Sequence, residues 1–114
     1  MNIEKLREFC KTLPAVTEDI KWGNDLCFLI AGKMFCVGCL EPPFTISLQV
    51  RADEFDALID TEGIIPAPYM ARNMWIQVQD TNRFTKKEWE HYIAQSYELK
   101  KAKLTKKILN ELKL

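Results

Sequence analysis

Apolar and polar positions alternate along this chain with two different periods, and the switches between them mark its elements. Ile3, Leu6, Phe9, Cys10 and Leu13 fall at the spacing of one helical stripe, which predicts an opening helix that Pro14 ends. After a short acidic stretch, IKWGNDLCFLIAGKMFCVGCL holds two apolar runs around Ala31-Gly32-Lys33 and predicts a β-hairpin, with Gly32 supplying the unusual dihedrals of the turn. Trp22 and Gly23 stand at its entrance. Beyond Pro42 and Pro43, Phe44, Ile46, Leu48 and Val50 alternate with Thr45, Ser47 and Gln49, the period of a strand with one wet face. RADEFDALID returns to helical spacing through Phe55, Leu58 and Ile59, with Asp53 placed to cap free amides at its start and Gly63 closing the unit.

The second half repeats the alternation. A short strand is predicted near Ile64 and Ile65, and a clearer one over Met74, Ile76 and Val78, where Trp75 faces away from Ile76. Asp80-Thr81-Asn82-Arg83 reads as a turn. Thr85 and Glu88 then have the spacing of a capping box, with Phe84 and Trp89 as the hydrophobic staple across it. The helix that follows buries Trp89, Tyr92, Ile93, Ser96, Tyr97 and Leu99, the serine allowing a strand to approach closely. A basic helical tail restarts at Thr105, and its Ile108, Leu109 and Leu112 call for burial. The order is helix, three strands, helix, two strands, helix. Short links between consecutive strands and amphipathic flanking helices predict an α+β two-layer domain with an antiparallel sheet, one domain over residues 1–114.

Composition changes this picture little. At 47% hydrophobic and 28% charged residues, the 114-residue chain lies in the globular range and needs no metal or disulfide to fold. The net charge is zero, yet residues 1–60 carry 6 basic against 10 acidic groups and residues 61–114 carry 10 against 6. Such asymmetry suits an anionic partner as well as a solvated helical surface. No run of about 18 apolar residues offers a membrane span. MNIEKLREF lacks the apolar core of a secretory signal, so the expected address is the cytoplasm.

In that compartment thiols stay reduced, and Cys10, Cys27, Cys36 and Cys39 are read first as small core hydrophobes. Cys36 and Cys39 form a C-x-x-C, but a strand would point them to opposite faces, and a single histidine, His91, leaves a zinc site short of ligands. No metal or cofactor is expected. The chain has no G-x-S-x-G, P-loop or dinucleotide fingerprint, and no histidine evidently placed to serve Ser47, Ser96 or a cysteine, so catalysis is not expected either.

Five motifs, in order and spacing, carry a resemblance over nearly the whole length. KWG at 21–23, GKMF at 32–35, ISLQV at 46–50, GIIPAPYMARNMW at 63–75 and QSYEL at 95–99 resemble the MmcQ/YjbR-like family of small bacterial proteins. The resemblance implies a two-layer α-β(3)-α-β(2)-α fold with an antiparallel sheet, similar to the type III secretion chaperones. It also implies DNA binding through exposed hairpins described as a double wing, with no settled biochemical activity. The family's strand motif commonly carries Lys where this chain has Gln49, a lost contact if that lysine meets phosphate.

Within that frame, Pro66 and Pro68 stiffen the loop before Trp75 and bias Ile65 and Ala67 toward extended geometry. The loop is expected to pack over Trp22 and Trp75 and to present Tyr69 and Arg72 in a set place. For DNA, Lys21, Lys33, Arg72, Lys86 and Lys87 are the candidate phosphate contacts, and Tyr69, or Trp22 if exposed, the base-stacking ring. Zero net charge predicts modest, salt-dependent affinity. The alternative is a protein-interaction or chaperone-like module that docks a partner through the apolar side of the C-terminal helix.

Overall fold

The computed structural model describes residues 1–114. Its centre is a six-stranded, wholly antiparallel sheet in the order β1-β2-β3-β4-β6-β5, built from Val16–Lys21, Asp25–Ile30, Lys33–Cys39, Thr45–Gln49, Ile64–Pro66 (β5) and Trp75–Val78 (β6). Four helices, α1 (Ile3–Thr12), α2 (Ala52–Ile59), α3 (Lys86–Lys101) and α4 (Lys106–Leu112), pack against one face of it. The two-layer α+β architecture expected from the hydrophobic periods is therefore the one observed. The first strand group has four members instead of three, because the acidic stretch after Pro14 belongs to β1. An edge strand has only one neighbour and needs no apolar run, and charged side chains blunt it against pairing with other chains.

Alternation along each strand sorts the residues into two clusters. Leu26, Phe28, Ile30, Cys36, Ile46, Leu48, Ile76 and Val78 meet Leu6, Leu58, Trp89, Ile93 and Tyr97 from the helices in the main core. Gly38 lies under α1, where an added Cβ would come within 3.2 Å of Ile3 and Leu6 side chains, so glycine is what lets the helix seat on β3. Between Phe28 and Leu29 the pairing register shifts, leaving Phe35 as the extra residue on β3. The bulge lets Phe35 and Cys36 both face the helices, and Phe35 meets Tyr97 edge-on at 5.5 Å.

The helix starts follow local chemistry. Thr85 Oγ1 accepts from the Glu88 amide while the Glu88 carboxylate accepts from the Thr85 amide, and the Phe84 and Trp89 rings meet at 5.0 Å, so the capping box and staple both form. Thr105 caps α4 through the Ile108 amide. Asp53 does not cap α2. Arg51 occupies that position, and Asp53, two residues on, holds the Arg51 guanidinium at 2.9 and 3.1 Å instead of a backbone amide.

Ala31 and Gly32, both at positive φ (50° and 76°), form the two-residue turn of the β2–β3 hairpin. On the helix-free face, a smaller cluster of Cys27, Leu29, Val37, Trp75 and Ala67 is covered by the connection from β5 to β6. Cys36 and Cys39 point to opposite faces, as a strand requires: Cys36 lies in the helix-side core and Cys39 on the open side.

Candidate binding groove on the open face of the sheet

The β5–β6 connection folds back over the sheet and is tied down along its length. Its start is held by the Ala67 amide on the Trp75 carbonyl (2.9 Å), and its end by the Val50 amide on the Met74 carbonyl (2.9 Å). Between them the Gln49 side-chain amide donates to the Asn73 carbonyl at 2.9 Å. Gln49 is only 9% exposed, a buried anchor for the loop. Ala67 and Met70 rest on the small cluster, and Trp75 is 3% exposed beneath them. The loop packs over Trp75 as expected.

Trp22 breaks the expectation. It is 71% exposed, because it belongs to the β1–β2 turn and not to the strand interior. Lys21 pairs with Asp25, leaving Trp22-Gly23-Asn24 as the connection, with Trp22 at φ 54° and Gly23 at φ 81°. Asn24 fixes the turn from below: its carbonyl accepts from the Leu40 amide and its side chain donates to Glu41.

Tyr69 is held in the same unusual way. The Met70 amide donates to the Ala67 carbonyl at 3.1 Å, closing a four-residue turn with Pro68 second and Tyr69 third, at φ 66°. That third position ordinarily takes glycine or asparagine, and bulky residues at positive φ are rare. The Tyr69 side chain is fully exposed. Two large rings thus occupy strained turn positions without contributing to a core.

Both rings border one groove of about 550 Å³. Its floor is the row Val37, Ser47, Gln77, neighbours across β3, β4 and β6. A second row, Asp25, Cys39, Thr45, closes the end nearest Trp22, and Pro68 and Met70 form the wall beneath Tyr69. Asp25 is the one charged residue among the lining. Lys21, directly across from Asp25 in register, places its ammonium 4.0 Å from Asp19 and forms no ion pair with Asp25. Cys27, one row in, has its thiol pKa raised by burial first and then by Asp25, with Asp19 adding to the effect and Lys21 opposing it.

The six residues singled out in the sequence do not form one surface. Tyr69 is at the groove, and Lys21 stands at its end beside Trp22. Arg72 lies in a single 3-10 turn of the covering loop, Ala71–Asn73, exposed and without a salt bridge. Lys86 and Lys87 open α3 in the helical layer, where Lys86 borders a separate hollow beside α1. Lys33 begins β3, at the opposite end of β2 from Lys21.

Lys33 has other company that sequence reading missed. Lys100, near the end of α3, holds its ammonium over the Trp75 ring at 5.8 Å. Its pKa is lowered by burial first, then by Lys103 and Lys33. None of the three lysines has a carboxylate within salt-bridge distance. The available signal was the spacing from Ser96, which contacts β3, to Lys100 one helical turn on.

The C-terminal helix, the candidate partner surface in the sequence, turns its apolar side inward. Ile108, Leu109 and Leu112 are half-buried against the chain's own core, following buried Leu104. His91 is exposed on α3, in the helical layer and away from Cys39 and Ser47 of the groove. No helix is long and apolar enough to cross a membrane.

Comparison with known proteins places this arrangement. No curated protein matches the sequence. Among solved structures, Deinococcus radiodurans protein DR2400, of the family-model domain DUF419, superposes with a TM-score of 0.88 at 22% identity, over 99% of this chain and 88% of that one. A Pseudomonas syringae protein superposes with a TM-score of 0.73 at 21% identity, over 87% of this chain and 98% of that one. At these identities the likeness is one of fold. The family model named YjbR matches residues 11–99, which span the sheet, the groove and most of α3, and the chain belongs to the YjbR family.

Proposed function

We propose that this protein is a non-enzymatic binding module whose ligand seat is the open-face groove, and that the ligand is a segment of a polypeptide partner. The observation that carries this reading is the pair Trp22 and Tyr69. Each ring sits exposed in a turn position that disfavours it, and both border the same cavity. Strained residues cluster where a surface is built to contact something else. The groove volume lies in the range of ligand sites, and its largely apolar lining with a few polar groups suits peptide side chains. Against catalysis, the groove nucleophiles Cys39, Thr45 and Ser47 have no histidine within their layer.

Selection from a randomised peptide library tests the reading. Enrichment of a common motif on the native protein, lost when Trp22 and Tyr69 are both changed to asparagine, is the expected result. Equal enrichment on the double variant removes the groove as the seat.

DNA is the second reading, and the lysine corner favours it. Lys100 lies over Trp75, itself under the loop that carries the exposed Arg72, the charges of Lys103 and Lys33 reach it, and none of the three lysines has a carboxylate partner. Titration with duplex and single-stranded DNA at several salt concentrations separates the two ligands. Contact with phosphates gives a log–log slope of about −0.7 to −0.9 per phosphate neutralised, and a flat response excludes the polyanion.

A further inference from the structure

Resting on the groove reading above, we infer that the group recognised in the groove is a cation, the ammonium or guanidinium of a lysine or arginine carried on the partner polypeptide. The first argument is the sign of the charge. Asp25 is the charged residue of the lining, and Asp19 stands on the same face one row in, opposite Cys27. The single cation of that end, Lys21, leans to Asp19 and leaves the Asp25 carboxylate without an ion pair. A negatively charged or phosphorylated segment would meet this end against repulsion, whereas a cationic one supplies the missing partner.

The second argument is the rings. Indole and phenol faces carry negative potential, and a cation held near two of them is stabilised by each, more so as water is displaced. Trp22 and Tyr69 both border the groove, and neither is needed for packing, so both rings are open to a ligand. Val37, Pro68 and Met70 offer apolar contact for the methylenes of a long side chain. The Ser47 hydroxyl stands on the floor as a polar group for a bound N–H. The volume exceeds what one side chain fills, which leaves room for the flanking backbone.

The chain provides its own reporter. Of its three tryptophans, Trp75 and Trp89 are 3% and 1% exposed, so a solvent-dependent change in indole fluorescence on adding a ligand arises at Trp22. The probes are acetylated, amidated pentapeptides Ala-Ala-Xaa-Ala-Ala, with Xaa lysine, arginine, norleucine or glutamate. The lysine and arginine peptides are expected to bind about fivefold to tenfold more tightly than the norleucine peptide, the range of one cation–π contact plus a carboxylate. Asp25→Asn should cut that preference severalfold. Because Asp25 is half-exposed at a strand end, folding of the variant is checked by its circular dichroism and melting curve.

Norleucine binding as tight as lysine binding overturns the cation while leaving the groove as a peptide seat. Full preference retained in Asp25→Asn overturns the cation too. Preferential binding of the glutamate peptide reverses the sign and overturns it as well. If no pentapeptide perturbs Trp22 and library selection on the native protein also fails, the groove reading falls together with the cation.

Discussion

The Ser96 hydroxyl stands between two strands: it accepts the Gln49 backbone N–H at 3.0 Å and donates to the Phe35 carbonyl at 2.5 Å. A side chain of α3 thereby completes the β3–β4 ladder at the point where Phe35 bulges out of register. Ser96 is wholly buried, so neither backbone group has water as a substitute. Ser96→Ala should destabilise by about 1–3 kcal/mol, the cost of leaving buried polar groups unpaired. Urea denaturation gives the number, and a loss below a few tenths would show that the strands close directly without the hydroxyl.

That bridge illustrates what the sequence conveyed and what it did not. Ser96 was legible as a small residue on a buried stripe, since periodicity reports which face a residue takes. Its partners were not, because they lie 47 and 61 residues away. The helix-side core and the Thr85 cap were legible for the same local reason. Strand β1 was not, since an edge position removes the apolar run that marks a strand. Trp22 was misplaced because hydrophobicity assigns an indole to a core, whereas its exposure is decided by a turn dihedral. The following Gly-Asn was the available turn signal. Tyr69 after Pro68 likewise occupies a turn position that composition alone does not reveal.

Strain at those turns is measurable. A non-glycine residue in the left-handed region costs roughly 1–2 kcal/mol, and asparagine tolerates it better than an aromatic does. Tyr69→Asn loses almost no burial, so its midpoint in urea should be unchanged or higher than that of the native protein, and Trp22→Asn should behave alike. A drop of more than about 1 kcal/mol in either variant would mean that the ring packs in solution, and its exposure would no longer argue for a ligand.

The edge strand should be sensitive to acid. Arg7 on α1 grips the Glu18 carboxylate with both ends, Nε to Oε1 at 3.0 Å and Nη2 to Oε2 at 3.1 Å, joining the helix to β1. Hydrogen bonding from Arg7 holds the Glu18 pKa below its ordinary 4.5, with burial opposing. A carboxylate whose folded pKa is depressed contributes stability that is fully present above the unfolded value and is lost as pH falls through the folded one. Native protein should therefore lose stability more steeply than Glu18→Gln on acidification from about pH 5 to pH 3. Parallel curves of unfolding free energy against pH for the two proteins would show that the pair contributes nothing in solution.

Lys100 makes the opposite case, a cation that the fold disfavours. Its ammonium lies over Trp75, and its pKa is lowered by burial first and then by Lys103 and Lys33. With the folded pKa below the unfolded one, the unfolded chain binds more protons between the two values, and stability rises with pH across that window up to about 10.5. Lys100→Met keeps an unbranched side chain over the indole and removes the charge, so it should be more stable than the native protein at neutral pH and lack the alkaline rise. The same substitution separates the two ligand readings: it should weaken any DNA complex and lower its salt slope by roughly one unit, while peptide binding at Trp22 stays unchanged. If DNA affinity survives Lys100→Met and Lys33→Met together, phosphates do not meet this corner.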